Sequence, residues 1–357
     1  MGNCLIIAEM GTSHGGDRVK ASEIVAAAAE SGADCVKCQI VYADEILHPE
    51  TGVVSLPGGA VPLYEVFKKL EQKPEFYENI KEETENRGLL FLATPFGPKS
   101  AAVLKKMAPK AVKIASPELN YRSLVAEAAS WKVPAYLSTG ISLLGDIERA
   151  IEPFRGEEQR LCLLHCITAY PAPAEEYNLR LIPLLGGIFG CEAGVSDHSL
   201  DPVLVPVLAS ALGASAIEKH FCLSRDDPGL DDPIALPPGD FAVMVKALRR
   251  AFTMKKEAVV AEIAGAYGAE RTEKVLGDGV RRLAPAEKAN YERTRRSIHA
   301  LRAIQQGETI TGDMIAVLRT EKTLRPGLAP LWIERIAGKQ AKNDIPAGQG
   351  IRFEDVF

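Results

Sequence analysis

The apolar segment SAIEKHF ends with Glu218, Lys219 and His220 in a row. Charged side chains are rarely buried unless they are paired with an opposite charge or bound to a metal. A buried strand that ends in three such groups therefore indicates a strand that delivers side chains to a functional site.

A second histidine, His198 in SDHS, follows the preceding apolar run in the same way as His220. If the two runs are neighbouring strands, their imidazoles lie within range of one metal ion. Two imidazoles with open positions for water or substrate oxygens favour a divalent first-row cation such as Mn²⁺ or Zn²⁺. Asp197 and Glu218 are then expected to orient the rings by hydrogen bonding.

Lysines at the ends of apolar runs predict an anion-binding site. Lys37, Lys113 and Lys219 would repel one another at one mouth unless an anion or carboxylates lie among them. Hydroxyl groups and a turn at Gly140 add donors that suit phosphate oxygens. These hydroxyls belong to Thr94, Ser116 and Ser138. In the alternative interpretation the lysines only form ion pairs, with Glu9, Glu118 and Glu218.

Short apolar runs alternate with helical patterns from the N-terminus to about residue 220. The predicted strands are CLIIAE, DCVKCQI, LLFLAT, AVKIAS, PAYLST, RLCLLHC, EAGVS and SAIEKHF. Between them, apolar residues recur at three- and four-residue spacing in the stretches 21–30, 98–107, 123–131, 144–154 and 202–212. Eight strands that alternate with helices predict an α/β fold of the (β/α)8 TIM-barrel type.

A (β/α)8 barrel places its site at the C-terminal ends of its strands. Many polar residues of this chain lie at or just after those ends. They are Glu9, Lys37, Gln39, Thr94, Lys113, Ser116, Ser138, His165, Tyr170, Ser196, His198, Glu218 and His220. We therefore expect them to converge on one rim of the barrel.

The pattern changes after residue 220. Residues 1–270 form the predicted barrel domain, in which 240–263 is one helical segment. Residues 271–296 are rich in charge, Gly and Pro and form a predicted linker. Residues 297–357 form a small domain of short strands and turns. A domain of about 60 residues has a marginal core, so we expect it to rest against the barrel or a second subunit.

Composition narrows the classes of protein. Of the 357 residues, 25% are charged and 46% hydrophobic, which is typical of a soluble globular protein, and no apolar run reaches the ~20 residues of a membrane span. The N-terminal segment is interpreted as a strand rather than a signal sequence. A net charge of -5 disfavours nucleic acid as a partner. Seven scattered cysteines predict a reducing, cytoplasmic location.

Three further motifs receive structural interpretations. Cys35 and Cys38 have C-x-x-C spacing but would face opposite sides of a strand, which disfavours a redox or zinc site. His165, between two cysteines of an apolar run, is interpreted as barrel packing or substrate lining. The acidic segment DDPGLDDP is interpreted as a polar loop over the barrel mouth rather than a Ca²⁺ site, with Asp231 placed to accept hydrogen bonds from substrate hydroxyls.

The chain resembles the N-acetylneuraminate (sialic acid) synthase family, which includes legionaminic and pseudaminic acid synthases and spore-coat polysaccharide synthases. The motifs that carry the resemblance are IIAEMGTSHGGD, VKCQ, ATPFG, KIASPELN, LSTG, LLHCITAYPAP, GVSDHS and ALGASAIEKHF. LGDGVRRLAPAE and RRSIHALRAIQQGETIT resemble the entry into the family's antifreeze-like (SAF, β-clip) domain. The resemblance implies condensation of phosphoenolpyruvate with an N-acyl-mannosamine-type amino sugar, giving a nine-carbon 2-keto acid and phosphate.

The resemblance also implies roles for individual residues. Phosphoenolpyruvate would bind to Lys37, Thr94, Lys113, Ser116, Ser138 and Ser196. The sugar would contact Glu9, Gln39, Glu118, Tyr170, Glu218 and Asp231. His198 and His220 would bind Mn²⁺, or else Mg²⁺ or Co²⁺. Lys37, Lys113, Glu118 and Glu218 would be catalytic, with one of the two glutamates acting as the proton relay.

In the family that the chain resembles, the small domain caps the barrel of the partner subunit and supplies an arginine to the N-acyl group of the sugar. A domain-swapped homodimer is therefore implied. Two arginines are candidates for the sugar contact: Arg319 fits by its position after a strand, and Arg325 by the Pro-Gly that follows it. We favour Arg319.

The chain departs from the usual family motifs near the sugar. Ser13 and Gly15 fall in a string that is usually similar to NHNG, Thr168 stands where Asn or Ser is common, and Asp232 stands where His is common. These departures leave open which amino sugar is used and whether it is phosphorylated.

Two other functions fit the sequence. A class I aldolase or lyase would form a Schiff base at Lys113 or Lys219. A sugar- or phosphate-binding protein would retain the barrel without the chemistry, and the altered SHGG string gives this alternative some support.

Overall fold

The computed structural model describes residues 4–56 and 59–357. Its strands are β1 (Leu5–Gly11), β2 (Cys35–Ile40), β3 (Val53–Leu56), β4 (Gly59–Pro62), β5 (Leu90–Pro95), β6 (Val112–Ile114), β7 (Ala135–Ser138), β8 (Leu161–Cys166), β9 (Glu192–Asp197), β10 (Ala216–His220), β11 (Arg296–Ala300) and β12 (Ile315–Arg319). Its first helices are α1 (Arg18–Glu30), α2 (Leu63–Leu70), α3 (Pro74–Asn86), α4 (Pro98–Lys106), α5 (Arg122–Ser130), α6 (Leu144–Ile151) and α7 (Leu181–Phe189). The later helices are α8 (Leu204–Ala211), α9 (Pro238–Ala251), α10 (Lys256–Tyr267), α11 (Ala269–Leu276), α12 (Tyr291–Thr294), α13 (Ile333–Ile336) and α14 (Phe353–Val356).

Eight parallel strands form one sheet in the order β5-β2-β1-β10-β9-β8-β7-β6. The end strands β5 and β6 lie side by side and close the sheet into a barrel. In the described part of the chain no hydrogen-bonded ladder joins β5 to β6; we call this junction the barrel seam. The predicted TIM-barrel fold is confirmed.

Helix α1 shows how the sequence specifies the outer layer of the barrel. The carboxylate of Asp17 accepts hydrogen bonds from the backbone N–H groups of Val19 and Lys20, at 2.7 and 3.2 Å, and so caps the first turn. Ile24 and Val25 are fully buried on the inner face of the helix. Burying one such side chain contributes about 1.5–3 kcal/mol. Capping fixes where α1 begins, and burial fixes which face meets the sheet.

The strands of the barrel separate two apolar layers. Cys35 packs with Ile7 and Leu92 inside the barrel, whereas Cys38 packs with Ile24 in the layer between strands and helices. The expected opposite facing of the two cysteines in the C-x-x-C spacing is therefore observed.

Two details of the fold differ from the sequence prediction. The segment 240–263 is two helices, α9 and α10, rather than one. The chain turns at Thr253, whose hydroxyl donates to the carbonyl of Arg250 at 2.8 Å, and α10 then packs through Val259 and Ile263. A hairpin of β3 and β4, which the sequence did not predict, follows the second barrel strand.

The linker and the small domain follow the barrel. The predicted linker of 271–296 overlaps regular elements at both ends, since α11 continues to Leu276 and β11 begins at Arg296. The small domain pairs β11 with β12 in antiparallel fashion over its own core, which includes Ile298, Ile310 and Ile351. It lies against the barrel mouth of the same chain, where the N–H of Arg319 donates to the carbonyl of Ile46 at 2.9 Å.

None of the helices within residues 4–56 and 59–357 combines the length and the apolar character that crossing a bilayer requires.

Candidate active site

A cavity of about 310 Å³ lies at the C-terminal ends of the barrel strands, beneath the small domain. Predicted site residues among its lining are Lys37, Gln39, Thr94, Tyr170, His220, Asp231 and Arg319. The location is the one that the barrel fold predicts for a catalytic site.

A buried cluster of opposite charges forms the floor of this site. The Lys37 Nζ atom lies 2.8 Å from Glu9 Oε2 and 3.6 Å from Glu218 Oε1. The Lys113 Nζ atom lies 3.8 Å from the other oxygen of Glu218. Glu218 therefore lies between two ammonium groups. Of the ion pairs in the alternative interpretation, those with Glu9 and Glu218 are present, whereas Glu118 pairs with arginines of the small domain.

The charges of this cluster hold one another in place. Burial alone would raise the pKa of Glu218, but Lys113 and Lys37 outweigh it and lower that pKa. Burial opposes the charge of Lys37, yet Glu218 and Glu9 raise the pKa of its ammonium group. Burial lowers the pKa of Lys113, and the charge of Glu218 offsets only part of this effect. The floor thus holds an ionised carboxylate and one firmly charged lysine beside a second lysine that loses its proton more readily.

Hydroxyl groups surround the two lysines. The ammonium of Lys113 donates to Ser138 Oγ at 2.7 Å, and that of Lys37 donates to Thr94 Oγ1 at 3.3 Å. Ser196 Oγ donates to Glu218 Oε1 at 3.1 Å. Ser116, which is buried just after β6, accepts a hydrogen bond from the N–H of Gly140 at 3.0 Å. The predicted phosphoenolpyruvate residues therefore come together at one end of the site.

The two predicted metal ligands face each other. The ring centres of His198 and His220 are 5.4 Å apart, and the ring of Tyr170 stacks on His198 at 4.3 Å. His198 Nδ1 donates to the carbonyl of Ile167 at 2.8 Å, which leaves its Nε2 free to bind a ligand. Burial lowers the pKa of His198, and it lowers that of His220 to about 3. Both rings are therefore neutral at physiological pH, as metal binding requires.

The donor set fits a divalent cation that keeps several other ligands. Within residues 4–56 and 59–357, no group of three or more His, Cys, Asp or Glu side chains forms a complete metal site. The buried Oε2 atom of Glu218, which is on the same strand as His220, has no hydrogen-bond partner. A cation held by His198 and His220 would therefore take its remaining ligands from water and substrate oxygens.

Carboxylate and amide groups form the side of the site that is predicted to bind the sugar. Gln39 Nε2 donates to Glu9 Oε1 at 2.8 Å. A Cβ atom on Gly11 would lie 3.2 Å from Asp231 Oδ2 and 3.4 Å from Gln39 Nε2, so the three polar side chains surround this glycine. Burial raises the pKa of Asp231. Such a cluster of acceptors suits the hydroxyls of a sugar.

Glu118 lies apart from the lysine cluster. Its Oε1 atom accepts from Arg319 Nη2 at 2.7 Å and lies 2.9 Å from Arg296 Nη2. Both residues come from the small domain, so Glu118 joins the barrel to that domain. Arg319 also lines the cavity, whereas Arg325 donates to Gly350 and pairs with Asp355 within the small domain. Of the two candidate arginines, the structure brings Arg319 to the site.

Two sequence expectations about this region are wrong. Lys219 does not reach the barrel mouth, because its ammonium lies 2.6 Å from Asp197 Oδ2 and donates to the carbonyl of Ser199, fully buried behind the sheet. Asp197 is therefore the partner of Lys219 and does not orient the imidazoles. Successive strand residues face opposite sides, so Glu218 and His220 point inward while Lys219 points outward.

His165 also lies outside the metal pair. Its Nε2 atom contacts the carbonyl of Tyr177, and its Nδ1 atom lies 3.4 Å from Arg281 Nη1. Burial, followed by the charge of Arg281, lowers its pKa to about 3. This neutral, buried ring agrees with the packing interpretation.

Sequence reasoning missed three features of the site. The β3–β4 hairpin and α2 give the cavity an apolar wall through Val54, Leu63 and Phe67. The turn after Arg319 adds Glu321 and Lys322 to the lining, and Arg296 and Glu287 fix the surrounding loops. These features fall outside the regular alternation of barrel strands and helices, and the signal that could have found Arg296 and Glu287 was the charge density of VRRLAPAE and RTRRS.

Comparisons with known proteins agree with this geometry. Residues 24–260 match the NeuB family, and residues 295–356 match the SAF domain. The chain is 34% identical to the uncharacterized protein MJ1065 of Methanocaldococcus jannaschii, over 99% of this chain and 94% of that protein. It is 33% identical to a pseudaminic acid synthase of Campylobacter jejuni, over 98% of this chain and 96% of that protein. The crystal structure of the spore coat polysaccharide biosynthesis protein SpsE of Bacillus subtilis superposes with a TM-score of 0.82, at 33% identity, over 100% of this chain and 96% of that chain.

Proposed function

The chain belongs to the NeuB family and ends in a SAF domain, and we propose that it joins phosphoenolpyruvate to an N-acyl-mannosamine-type amino sugar. The products are a nine-carbon 2-keto acid and inorganic phosphate. A relative that is named as a pseudaminic acid synthase covers nearly the whole chain, which supports a synthase of this class.

One observation carries the proposal: two lysines enclose a single buried carboxylate on the strand that also carries one of two facing histidines. Lys37 and Lys113 lie 3.6 and 3.8 Å from the two oxygens of Glu218, and His220 is two residues further along the same strand. Ammonium groups with hydroxyl donors suit a phosphate, and neutral imidazoles suit a cation beside it. The acceptor groups around Gly11 then suit the hydroxyls of the second substrate.

The reaction forms a carbon–carbon bond between the substrates and a carbon–oxygen bond from water, and it breaks the carbon–oxygen bond to phosphate. The enol carbon of phosphoenolpyruvate bonds to the carbonyl carbon of the open-chain sugar, and positive charge develops at the phosphate-bearing carbon. Glu218, which stays ionised between its lysines, stabilises this charge and takes a proton from the water that adds there. Glu218 then passes this proton to the alkoxide left on the former sugar carbonyl. Loss of phosphate, together with loss of the remaining proton of the added water, leaves the 2-keto group.

The lysines assist the departure of phosphate. Lys37 keeps its charge and balances the negative charge on the leaving oxygens. The lowered pKa of Lys113 makes its protonated Nζ a stronger proton donor than an ordinary ammonium, so it can transfer a proton to the phosphate. When bound at His198 and His220, a divalent cation such as Mn²⁺ supplies Lewis-acid polarisation of the sugar carbonyl.

The test is release of phosphate from phosphoenolpyruvate by the purified protein with Mn²⁺. We expect release only when an amino sugar is added. The sugars to be tested are N-acetylmannosamine, its 6-phosphate and the precursors of legionaminic and pseudaminic acids. Chelation by EDTA should abolish release, and Mn²⁺ should restore it. Absence of release with every sugar of the panel would refute the proposal.

The lowered pKa of Lys113 also favours a second candidate, a class I aldolase with a Schiff base at its Nζ atom. Lys219 is excluded as the Schiff-base lysine, because its ammonium group is fully buried behind the sheet in an ion pair with Asp197. Borohydride treatment with pyruvate separates the two functions. A covalent adduct on Lys113 that forms in the presence of EDTA supports the aldolase, and its absence supports the synthase.

We also propose that the enzyme works as a homodimer whose small domains cap each other's barrels. The single chain brings its own Arg319 to its own cavity, so the same contact is available within one chain. Refolding the inactive Arg319→Ala and Lys113→Met chains together, and then measuring activity, decides between capping by the partner and capping within one chain. Recovered activity supports exchange between subunits, because one mixed site then has an intact barrel and an intact cap. No recovery assigns the cap to its own chain.

A further inference from the structure

A carboxylate of the linker reaches into the loops of the site. Glu287 ends a short 3-10 helix, Pro285–Glu287, and its side chain is almost fully buried. Its Oε1 atom accepts hydrogen bonds from the backbone N–H groups of Ile141 and Thr168, at 2.6 and 2.9 Å. Ile141 follows β7, and Thr168 follows β8. One oxygen atom therefore joins two neighbouring loops at the C-terminal end of the barrel.

The loop after β7 holds an unfavourable backbone conformation at the residue that Glu287 contacts. Ile141 has a φ angle of 42°, in the left-handed region that a β-branched residue rarely adopts. Such a conformation persists only where the surroundings enforce it. The N–H group of Ile141 is the donor of the short bond to Glu287, so this carboxylate is placed to enforce it.

The same loop contacts the phosphate side of the site. The N–H of Gly140 donates to Ser116 Oγ at 3.0 Å. Ser138, two residues before this glycine, accepts a hydrogen bond from Lys113 through its Oγ atom. A Cβ atom on Gly140 would lie 2.2 Å from Thr168 Oγ1 and 2.9 Å from Ser116 Oγ. The two loops are therefore packed too closely for any side chain at position 140, and a small shift of either loop would move the hydroxyls of the site.

A second linker residue supports the loop after β7 from outside. Arg281 Nη2 donates to the carbonyl of Ser142 at 2.6 Å, its Nε donates to the same carbonyl at 3.1 Å, and it also contacts the carbonyl of Thr139. Linker side chains thus bind the N–H group of Ile141 and the carbonyls on either side of it. Asn290 of the linker also donates to the carbonyl of Thr168, at 3.4 Å. By contrast, the N–H of Ala286 donates at 2.9 Å to Glu176 Oε2, which does not line the cavity.

We propose that Glu287 is a positioning residue for phosphoenolpyruvate: it holds the loop after β7 so that Ser116 and Ser138 face the lysines. The role in turnover rests on the proposed function, whereas the role in holding the loop does not. The linker is then a working part of the site and not only a connection between domains.

The experiment compares Glu287→Ala with Glu176→Ala, which removes a linker contact away from the site. Amide hydrogen exchange of the full chain measures the loops directly, without substrate. In Glu287→Ala we expect exchange at Ile141 and Thr168 to accelerate roughly tenfold or more, because both N–H groups lose a charged acceptor. Glu287→Gln keeps an oxygen for both groups and should stay near the wild type. Should Glu287→Ala not fold, Glu287→Asp replaces it, since its carboxylate is one methylene shorter.

Kinetics and binding provide the second readout. Glu287→Ala should lower kcat/KM for phosphoenolpyruvate roughly 10–100-fold, and calorimetry should show weaker binding of phosphoenolpyruvate alone. Adding Ile141→Gly to Glu287→Ala should restore part of both, because glycine adopts the left-handed conformation without strain. Unchanged exchange at Ile141 and Thr168 in Glu287→Ala, or equal losses in Glu287→Ala and Glu176→Ala, would overturn the proposal. If the wild type releases no phosphate, the proposed function fails, and the exchange data still decide whether Glu287 holds the loop.

Discussion

At the scale of single residues, the site depends on which side of a strand a charge faces. Glu218 and Lys219 are neighbours in sequence, yet one lies among the lysines of the cavity and the other is sealed against Asp197 behind the sheet. Two lysines that look alike in the sequence therefore have separate surroundings: Lys113 lies beside Glu218 at the candidate site, and Lys219 is paired with Asp197 behind the sheet.

Substitution of the two lysines by Met should have different effects. Lys219→Met leaves Asp197 buried without its partner and should lower the free energy of unfolding by about 3–5 kcal/mol. Lys113→Met should abolish binding of phosphoenolpyruvate, measured by calorimetry. Lys105→Met, which removes an exposed ion pair with Glu127, is the control and should change stability by less than about 1 kcal/mol. Equal stability of the Lys219 and Lys105 variants would contradict the assignment.

At the scale of elements, the small domain bridges the barrel seam. Arg296, at the start of β11, donates through Nη2 to the carbonyl of Phe96 at 2.7 Å and through Nε to Glu118 Oε1 at 3.1 Å. Phe96 follows β5, and Glu118 follows β6. One fully buried guanidinium thus links the two barrel strands that share no ladder within the described residues.

Arg296→Met should therefore loosen the seam. The change leaves Glu118 and the carbonyl of Phe96 short of a donor, which we expect to destabilise the protein by about 2–4 kcal/mol. Hydrogen exchange should accelerate in β5 and β6 more than in β9 and β10, which lie on the opposite side of the barrel. Arg302→Met removes an exposed arginine of the same domain that pairs with Glu308, and it should leave both quantities unchanged. Uniform acceleration over all barrel strands would count against a role at the seam.

The sequence predicted the elements better than it predicted their connections. Each barrel strand is a short apolar run with a polar end, and this local pattern is enough to place Lys37, Thr94 and His220 at one rim. Lys219 was misplaced because the alternation of strand faces was not applied to a run of charged residues. Glu287 and Arg296 could not be found in this way, because their partners are mainly backbone groups and a carboxylate more than a hundred residues away.

At the scale of the whole molecule, buried neutral histidines tie stability to pH. His299 of the small domain is fully buried and forms hydrogen bonds with Ser297, Thr320 and the carbonyl of Gly348. Burial is the main cause that lowers its pKa to about 4. His165 of the barrel has its pKa lowered to about 3. In the unfolded chain both groups take up a proton near pH 6.5. Between pH 6.5 and about 4 the unfolded state binds more protons, so acid favours unfolding.

Urea unfolding measured from pH 8 to pH 4 tests this linkage. Each of the two histidines should reduce the free energy of unfolding by about 1.4 kcal/mol per pH unit below pH 6.5. His299→Gln should remove one proton from this slope between pH 6 and pH 4.5 while it lowers stability at pH 8 through lost hydrogen bonds. An unchanged slope in the variant would show that His299 titrates alike in both states.

The depth of the cavity predicts an order of binding for the two proposed reactants. Among its lining residues, Lys37 and Thr94 are almost wholly buried, whereas Tyr170 and Lys322 are about half exposed. A sugar that entered first would lie across the path of phosphoenolpyruvate to its lysines. The smaller, charged reactant should therefore load first, and the long keto acid should depart before the phosphate beneath it.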